Sequence, residues 1–306
     1  MWPREVDWKT LRFGVELEFV GIDPSAVELL DGWGGDADER QLSLSGEWSG
    51  GEIRPSPMVW GQRAEIIETL ARIRSAGGEV NWSCGLHVHV GLEAWGAEVL
   101  SPLLAAALRT QTALRELFQT PDHRGLYCPL ISEAQRDLWL ADPGEDALHH
   151  SGRPQGSRSG INVAAWYEFG TVELRFPNAS LDPNEVLRTV ECCLRWVAAV
   201  GAGTMLSADP ITLAKTLGVP ASGYPRPLPQ PLWHLRAELL TEIMAPALQG
   251  LIDAVVPNTA ILFVRPTAEG LFAKAEVEDR ITHGFWFRPT PQGFTLVRHR
   301  PPGSDT

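Results

Sequence analysis

Residues 11–21 read LRFGVELEFVG, with Val15, Leu17 and Phe19 alternating against Glu16 and Glu18. Successive side chains of a strand point to opposite faces, so this stretch specifies a strand with one apolar face and one face bearing two carboxylates. The apolar face must be covered by a second layer. Two further stretches have the same character. GGEIRPSP (50–57) is a short strand closed by Pro55 and Pro57, and it carries Glu52. SCGLHVHVG (83–91) sets His87 and His89 on one face and Leu86, Val88 and Val90 on the other.

Helices to cover such strands are legible between and after them. Ile66, Ile67, Leu70 and Ile73 fall at helical spacing within 62–76, and Gly77-Gly78 supplies the stop. A second helix is predicted from about Glu98 to Phe118, with Pro102 tolerated in its first turns. The Pro-, Gly- and Ser-rich stretch 142–160 reads as a long loop. After it, GINVAAWYEFGTVELRF predicts two strands around a tight EFGT turn. A helix then starts with Asp182 as N-cap, Pro183 in first position and Glu185 completing a capping box. Val186, Val190, Leu194 and Val197 form its buried stripe.

Beyond residue 207 prolines recur at 220, 225, 227, 229 and 231, followed by one helical segment near 232–253 and a frayed end at PPGSDT. The expected organisation is a core over 1–206 and a Pro-containing C-terminal region over 207–306 packed on that core. No internal repeat is present.

Composition narrows the classes. The chain has 306 residues, 44% of them hydrophobic, which supports a substantial core. The charged N-terminus and the lack of a long apolar run predict a soluble, cytoplasmic protein without a membrane partner. Cys84, Cys128, Cys192 and Cys193 form no CxxC pair, so disulfides are not expected. A net charge of -12 argues against a nucleic-acid partner, although a short, locally basic groove is compatible with it.

Seven polar residues interrupt otherwise apolar strands: Glu16, Glu18, Glu52, His87, His89, Glu173 and Arg175. Taken singly, each has an ordinary explanation as a solvated strand face, a structural ion pair or a hydrogen-bonded histidine. Arg124 and Arg158, likewise, read singly as surface arginines. If the strands meet, however, clustered carboxylates require a cation or must protonate. Oxygen-rich ligation with little sulfur favours Mg²⁺ or Mn²⁺ over zinc. Neither a GxxxxGK[ST] loop nor a GxGxxG fingerprint is present, so any nucleotide would be held by metals and arginines.

FGVELEFVG, GGEIRPSPM, CGLHVHVG and GTVELRFPNASLDPNEV, in this order, resemble the amidoligases, which belong with the glutamate-cysteine ligases and glutamine synthetases. The resemblance spans about residues 11–200. It implies an α/β fold of the α+β type, a glutamine-synthetase-like antiparallel half-funnel sheet flanked by helices. It also implies an ATP- and Mg²⁺- (or Mn²⁺-) dependent carboxylate-amine ligase working through an acyl-phosphate. Small-molecule or peptide carboxylates and amines would be its substrates.

Carried over by position, Glu16, Glu18, Glu52, His87 and Glu173 resemble metal ligands. His89 resembles the residue facing the γ-phosphate, and Arg175 the arginine that steadies the phosphoryl group; with Glu18 these two form the implied catalytic set. Arg124, Arg158 and Asn162 are implied in nucleotide binding. One departure is Gln41, which stands where relatives often have an acid. The alternatives are a zinc metallohydrolase built on Cys84, His87 and His89, a binding module that retains the fold without the chemistry, and a phosphotransferase.

Overall fold

The computed structural model describes residues 1–37, 41–47, 49–150, 158–277 and 281–302. Residues 151–157 of the predicted loop and most of the predicted frayed end lie outside the described residues. The chain divides into two units, Met1–Leu148 with Ser159–Pro229, and His149–Arg158 with Gln230–Thr306.

The first unit is built on a six-stranded sheet of β1 (Phe13–Phe19), β2 (Trp33–Asp36), β3 (Gly51–Pro55), β4 (Leu86–Gly91), β5 (Ile161–Asn162) and β6 (Thr171–Leu174). Their order is β2-β3-β1-β4-β6-β5, and every pair is antiparallel. Its helices are α1 (Ala64–Ser75), α2 (Leu100–Leu117), α3 (Glu133–Ala141), α4 (Ala165–Phe169), α5 (Pro183–Gly201) and α6 (Pro210–Leu217). The fold is α+β, as the sequence predicts.

The apolar halves of the alternating strands make one core with the helices. Val15, Leu17 and Phe19 of β1, Ile53 of β3 and Val88 of β4 are buried together with Ile66 and Leu70 of α1, Leu103 of α2 and the predicted α5 stripe. Each such side chain contributes about 1.5–3 kcal/mol by leaving water. Because one sheet face is committed to this core, the glutamates and histidines are forced onto the other.

Local details depart from expectation in two places. Asp182 caps α5 by accepting from the backbone N–H groups of Asn184 (2.7 Å) and Glu185 (3.3 Å). Glu185 does not close a capping box; its carboxylate accepts from Ser180 Oγ at 2.6 Å. The segment before the EFGT turn forms the short helix α4 instead of a strand. Gly170 ends it in the left-handed region (φ 68°), and only Ile161 and Asn162 pair with β6. The first unit also runs past residue 206. Leu213 and Leu217 of α6, with Tyr224, bury in its core, and Asn178 donates to the Pro225 carbonyl at 3.1 Å.

The second unit contains α7 (Leu232–Asp253) and the strands β7 (Ala260–Thr267), β8 (Gly270–Val277), β9 (Ile281–Thr290) and β10 (Gly293–Arg300), an antiparallel meander ordered β10-β9-β8-β7. Leu248 and Ile252 of α7 pack on Val264, Ala273, Phe285 and Phe287 of the sheet. Only the helix was expected from the sequence. Among the described residues no helix is long and apolar enough to cross a membrane.

Candidate active site

The antiparallel register sets the polar residues side by side across the face of the first sheet that is turned away from its core, where Glu18, His87, Asn162 and Glu173 are themselves buried. Glu18 of β1 stands opposite Glu52 of β3, and Glu16 opposite His87 of β4. His89 stands opposite Glu173 of β6, which in turn faces Asn162 of β5. Arg175 follows β6 directly.

The side chains converge on Glu16 and Glu173. His87 Nδ1 lies 2.6 Å from Glu16 Oε2, and its Nε2 lies 3.6 Å from Glu18 Oε1. His89 Nε2 lies 3.3 Å from Glu16 Oε1 and 3.6 Å from Glu173 Oε1. Asn162 Nδ2 donates to Glu173 Oε2 at 2.8 Å, while Arg175 Nη1 donates to Glu173 Oε1. The His89 ring is fixed from behind by Thr171 Oγ1, 3.0 Å from Nδ1, and by the edge-on ring of Phe169. Glu18 Oε2 accepts the backbone N–H of Gly85.

Charge decides the state of these groups. Burial pushes the Glu16 carboxyl up, but hydrogen bonds and charges from His87 and His89 outweigh it and hold the group well below the usual carboxylate range. For Glu173 burial acts in the same direction, and the charges of Arg175 and His89 override it to leave the carboxyl at about 2. Burial lowers His89, yet the charge of Glu173 and the contact with Glu16 raise it above an ordinary imidazole. The site is thus an ionised, half-enclosed cluster of carboxylates that favours a positive charge among them.

One ligand atom from each of Glu16, His89 and Glu173 lies within 4.8 Å of the others, the spacing a single cation needs. The resemblance gives the metal to His87 and the phosphate to His89; His87 adjoins the same carboxylates, with Nδ1 also 3.7 Å from Glu173 Oε1 and Nε2 turned to Glu18. Glu52 is on the same face but is held by Arg54, which also pairs with Asp36. Arg54 and Asp36 went unnoticed in the sequence, although Arg54, two residues from Glu52 on a strand, necessarily shares its face.

The remaining candidates have other surroundings. Arg124 is buried, and its guanidinium donates to the carbonyls of Arg175 (3.1 Å), Phe176 (3.4 Å) and Pro177, so it fixes the segment that carries Arg175. Gly85 lies beneath it, and a Cβ there would come within 2.2 Å of Arg124 Nη2 and 3.0 Å of His87 Nε2, so the glycine leaves room for both side chains. Arg158 belongs to the second unit. Gln41 is 1% exposed, and among the described residues neither amide atom has a hydrogen-bond partner. Cys84 packs with Val20 and Ala179 in a small apolar cluster, and burial pushes its thiol up to about 12.

A family model described as "putative amidoligase enzyme" matches residues 36–197, just over half of the chain. The matched stretch contains Glu52, His87, His89, Glu173 and Arg175, and β1 adds Glu16 and Glu18 from upstream of it. No curated protein matches the chain.

Proposed function

The chain belongs to the amidoligase family, a ligase-type assignment, and from that premise we propose that it joins a carboxylate to an amine at the expense of ATP through an acyl-phosphate. The observation that carries this reading is the convergence of Glu16, His89 and Glu173 beside Arg175 on one face of the sheet.

The chemistry explains why such a cluster is useful. A carboxylate resists attack by an amine because it is anionic and oxide is a poor leaving group. Transfer of the ATP γ-phosphoryl group to a carboxylate oxygen, with ADP leaving, removes both obstacles. The amine then attacks the acyl carbon, phosphate leaves, and a base takes the amine proton. The first step brings two anions together, so positive charge must be positioned in advance.

The oxygen-rich donor set suits a hard divalent cation. Glu16, His89 and Glu173 would hold Mg²⁺ or Mn²⁺, which when bound would neutralise charge on the phosphate chain. Arg175, buried and oriented by Glu173 and by Arg124 behind its backbone, directs its guanidinium at the transferring group. His87 holds Glu16 and Glu18 in register. Glu18, outside the close cluster, takes the proton from the amine. Asn162 fixes the orientation of the Glu173 carboxylate.

The test is ADP release that requires both a carboxylate and an amine in the presence of Mg²⁺. Absence of nucleotide binding across varied Mg²⁺ and acceptors would overturn the reading.

A further inference from the structure

The C-terminal sheet has a second face, opposite the one that packs on α7. There the register builds a row across all four strands: Arg265 opposite Phe272, Phe272 opposite Trp286, and Trp286 opposite Arg298. The two rings touch, with centroids 4.6 Å apart. The guanidinium of Arg265 lies 4.8 Å from the Phe272 centroid, and that of Arg298 lies 3.6 Å from the Trp286 centroid. The next row is Phe263, Lys274, Gly284 and Arg300, with Arg300 at 5.7 Å from Trp286. A Cβ on Gly284 would lie 3.0 Å from Phe272 and 3.1 Å from Trp286, so the glycine makes room for both rings.

The three arginines are exposed and stand on the two edge strands. Edge charges discourage strand pairing, but that needs no stacking. Holding a guanidinium over a ring restricts the rotamers of the side chain, which lowers the entropy cost of binding an anion. The chain carries a net charge of -12, so a face where cations prevail runs against its overall composition. Guanidinium groups already cap the rings, which leaves hydrogen-bonding forks, not open aromatic planes, as what the face offers.

We propose that this face docks an acidic polypeptide segment, its carboxylates taken by Arg265, Arg298 and Arg300. The Arg265 and Arg298 guanidinium groups lie over rings of the two inner strands, closer together than the edge strands themselves, so carboxylates two to four residues apart on an extended segment, about 7–14 Å, reach both. The choice of a carboxylate-bearing peptide over another polyanion rests on the proposed ligase reading, whose substrate is a carboxylate. The segment is then the acceptor-bearing substrate, recruited to the same chain that activates it.

The test is fluorescence anisotropy with the full-length chain and a labelled Glu-Gly repeat peptide, its Gln-Gly counterpart, and a single-stranded oligonucleotide of matching charge, all without nucleotide. The Glu peptide is expected to bind, the Gln peptide not, and added salt to weaken the complex. Arg298→Ala with Arg300→Ala should weaken binding at least about tenfold at unchanged melting temperature, and Arg298→Lys should not fully restore it. Equal binding of the Gln peptide, tighter binding of the oligonucleotide, or no effect of the double variant would overturn the docking site. Peptide binding without ADP release in any assay leaves docking standing and defeats the ligase reading; ADP release with no peptide binding does the reverse.

Discussion

The carbonyl oxygen of Arg175 accepts a hydrogen bond from Nη2 of Arg124 at 3.1 Å. One arginine of the site is therefore held by another arginine through the backbone, with the Phe176 and Pro177 carbonyls bound by the same fork. Arg124→Met keeps the apolar stem and removes every donor, leaving buried carbonyls without partners. A loss of about 3 kcal/mol is expected in urea denaturation. Unchanged stability would show that the fork braces nothing.

Arg175→Lys preserves the charge but not the planar fork. Turnover is expected to fall at least about tenfold, or about 1.4 kcal/mol of barrier, while circular dichroism stays that of the parent. Full activity in this variant would take Arg175 out of the phosphoryl-transfer step.

Glu16 stands between both histidines, and its Oε1 belongs to the close cluster. Glu16→Gln removes the charge with little change in shape. Mg²⁺ or Mn²⁺ affinity measured by calorimetry should drop at least about tenfold, and an identical titration would exclude Glu16 as a ligand.

Glu173 has a pH signature in the metal-free protein. Its carboxyl is lowered from 4.5 to about 2, burial notwithstanding, by Arg175 and His89. A depressed carboxylate contributes stability that is present above its unfolded pKa and lost as pH falls through the folded one. The unfolding free energy from urea titrations should accordingly decline between about pH 4.5 and pH 2, by an amount on the order of 3 kcal/mol. Glu173→Gln should show a flatter profile over that window; parallel profiles would count against the assignment.

Gln41 buries an amide with neither atom bonded among the described residues. Gln41→Met keeps the volume and length without the polar atoms, so it is expected to stabilise the protein by about 1 kcal/mol. Destabilisation on thermal melting would mean the amide has a partner that its fold supplies.

The legible parts of the chain were those where one face is apolar and the other polar. β1 and β4 follow from simple alternation, and α5 from its N-cap and its stripe. β8 and β9 were missed because their alternation is weak: the core face of β8 buries only Ala273 and Ala275, and in β9 Trp286 on the far face falls between the core-facing Phe285 and Phe287, so FWF reads as a run without a period. α4 was missed because a one-turn helix has no period to read. Within the site, the residue types were legible but their partners were not. Spacing put His87 and His89 on one face; only the register with β1 and β6 decides which histidine meets which glutamate. That the fork of Arg124 faces main chain and not solvent depends on contacts more than fifty residues distant.

The strand order β2-β3-β1-β4-β6-β5 also has a consequence during synthesis. By the time residue 91 leaves the ribosome, β1 and β4 can pair, placing two glutamates and two histidines together. The other edge of β4 stays open until Thr171–Leu174 arrives, and an open apolar edge invites pairing with another nascent chain. The same late segment delivers Glu173 and Arg175. Closure of the vulnerable edge and completion of the Glu16, His89 and Glu173 cluster are thus one event, so a product truncated before Thr171 keeps the open edge and lacks the cluster.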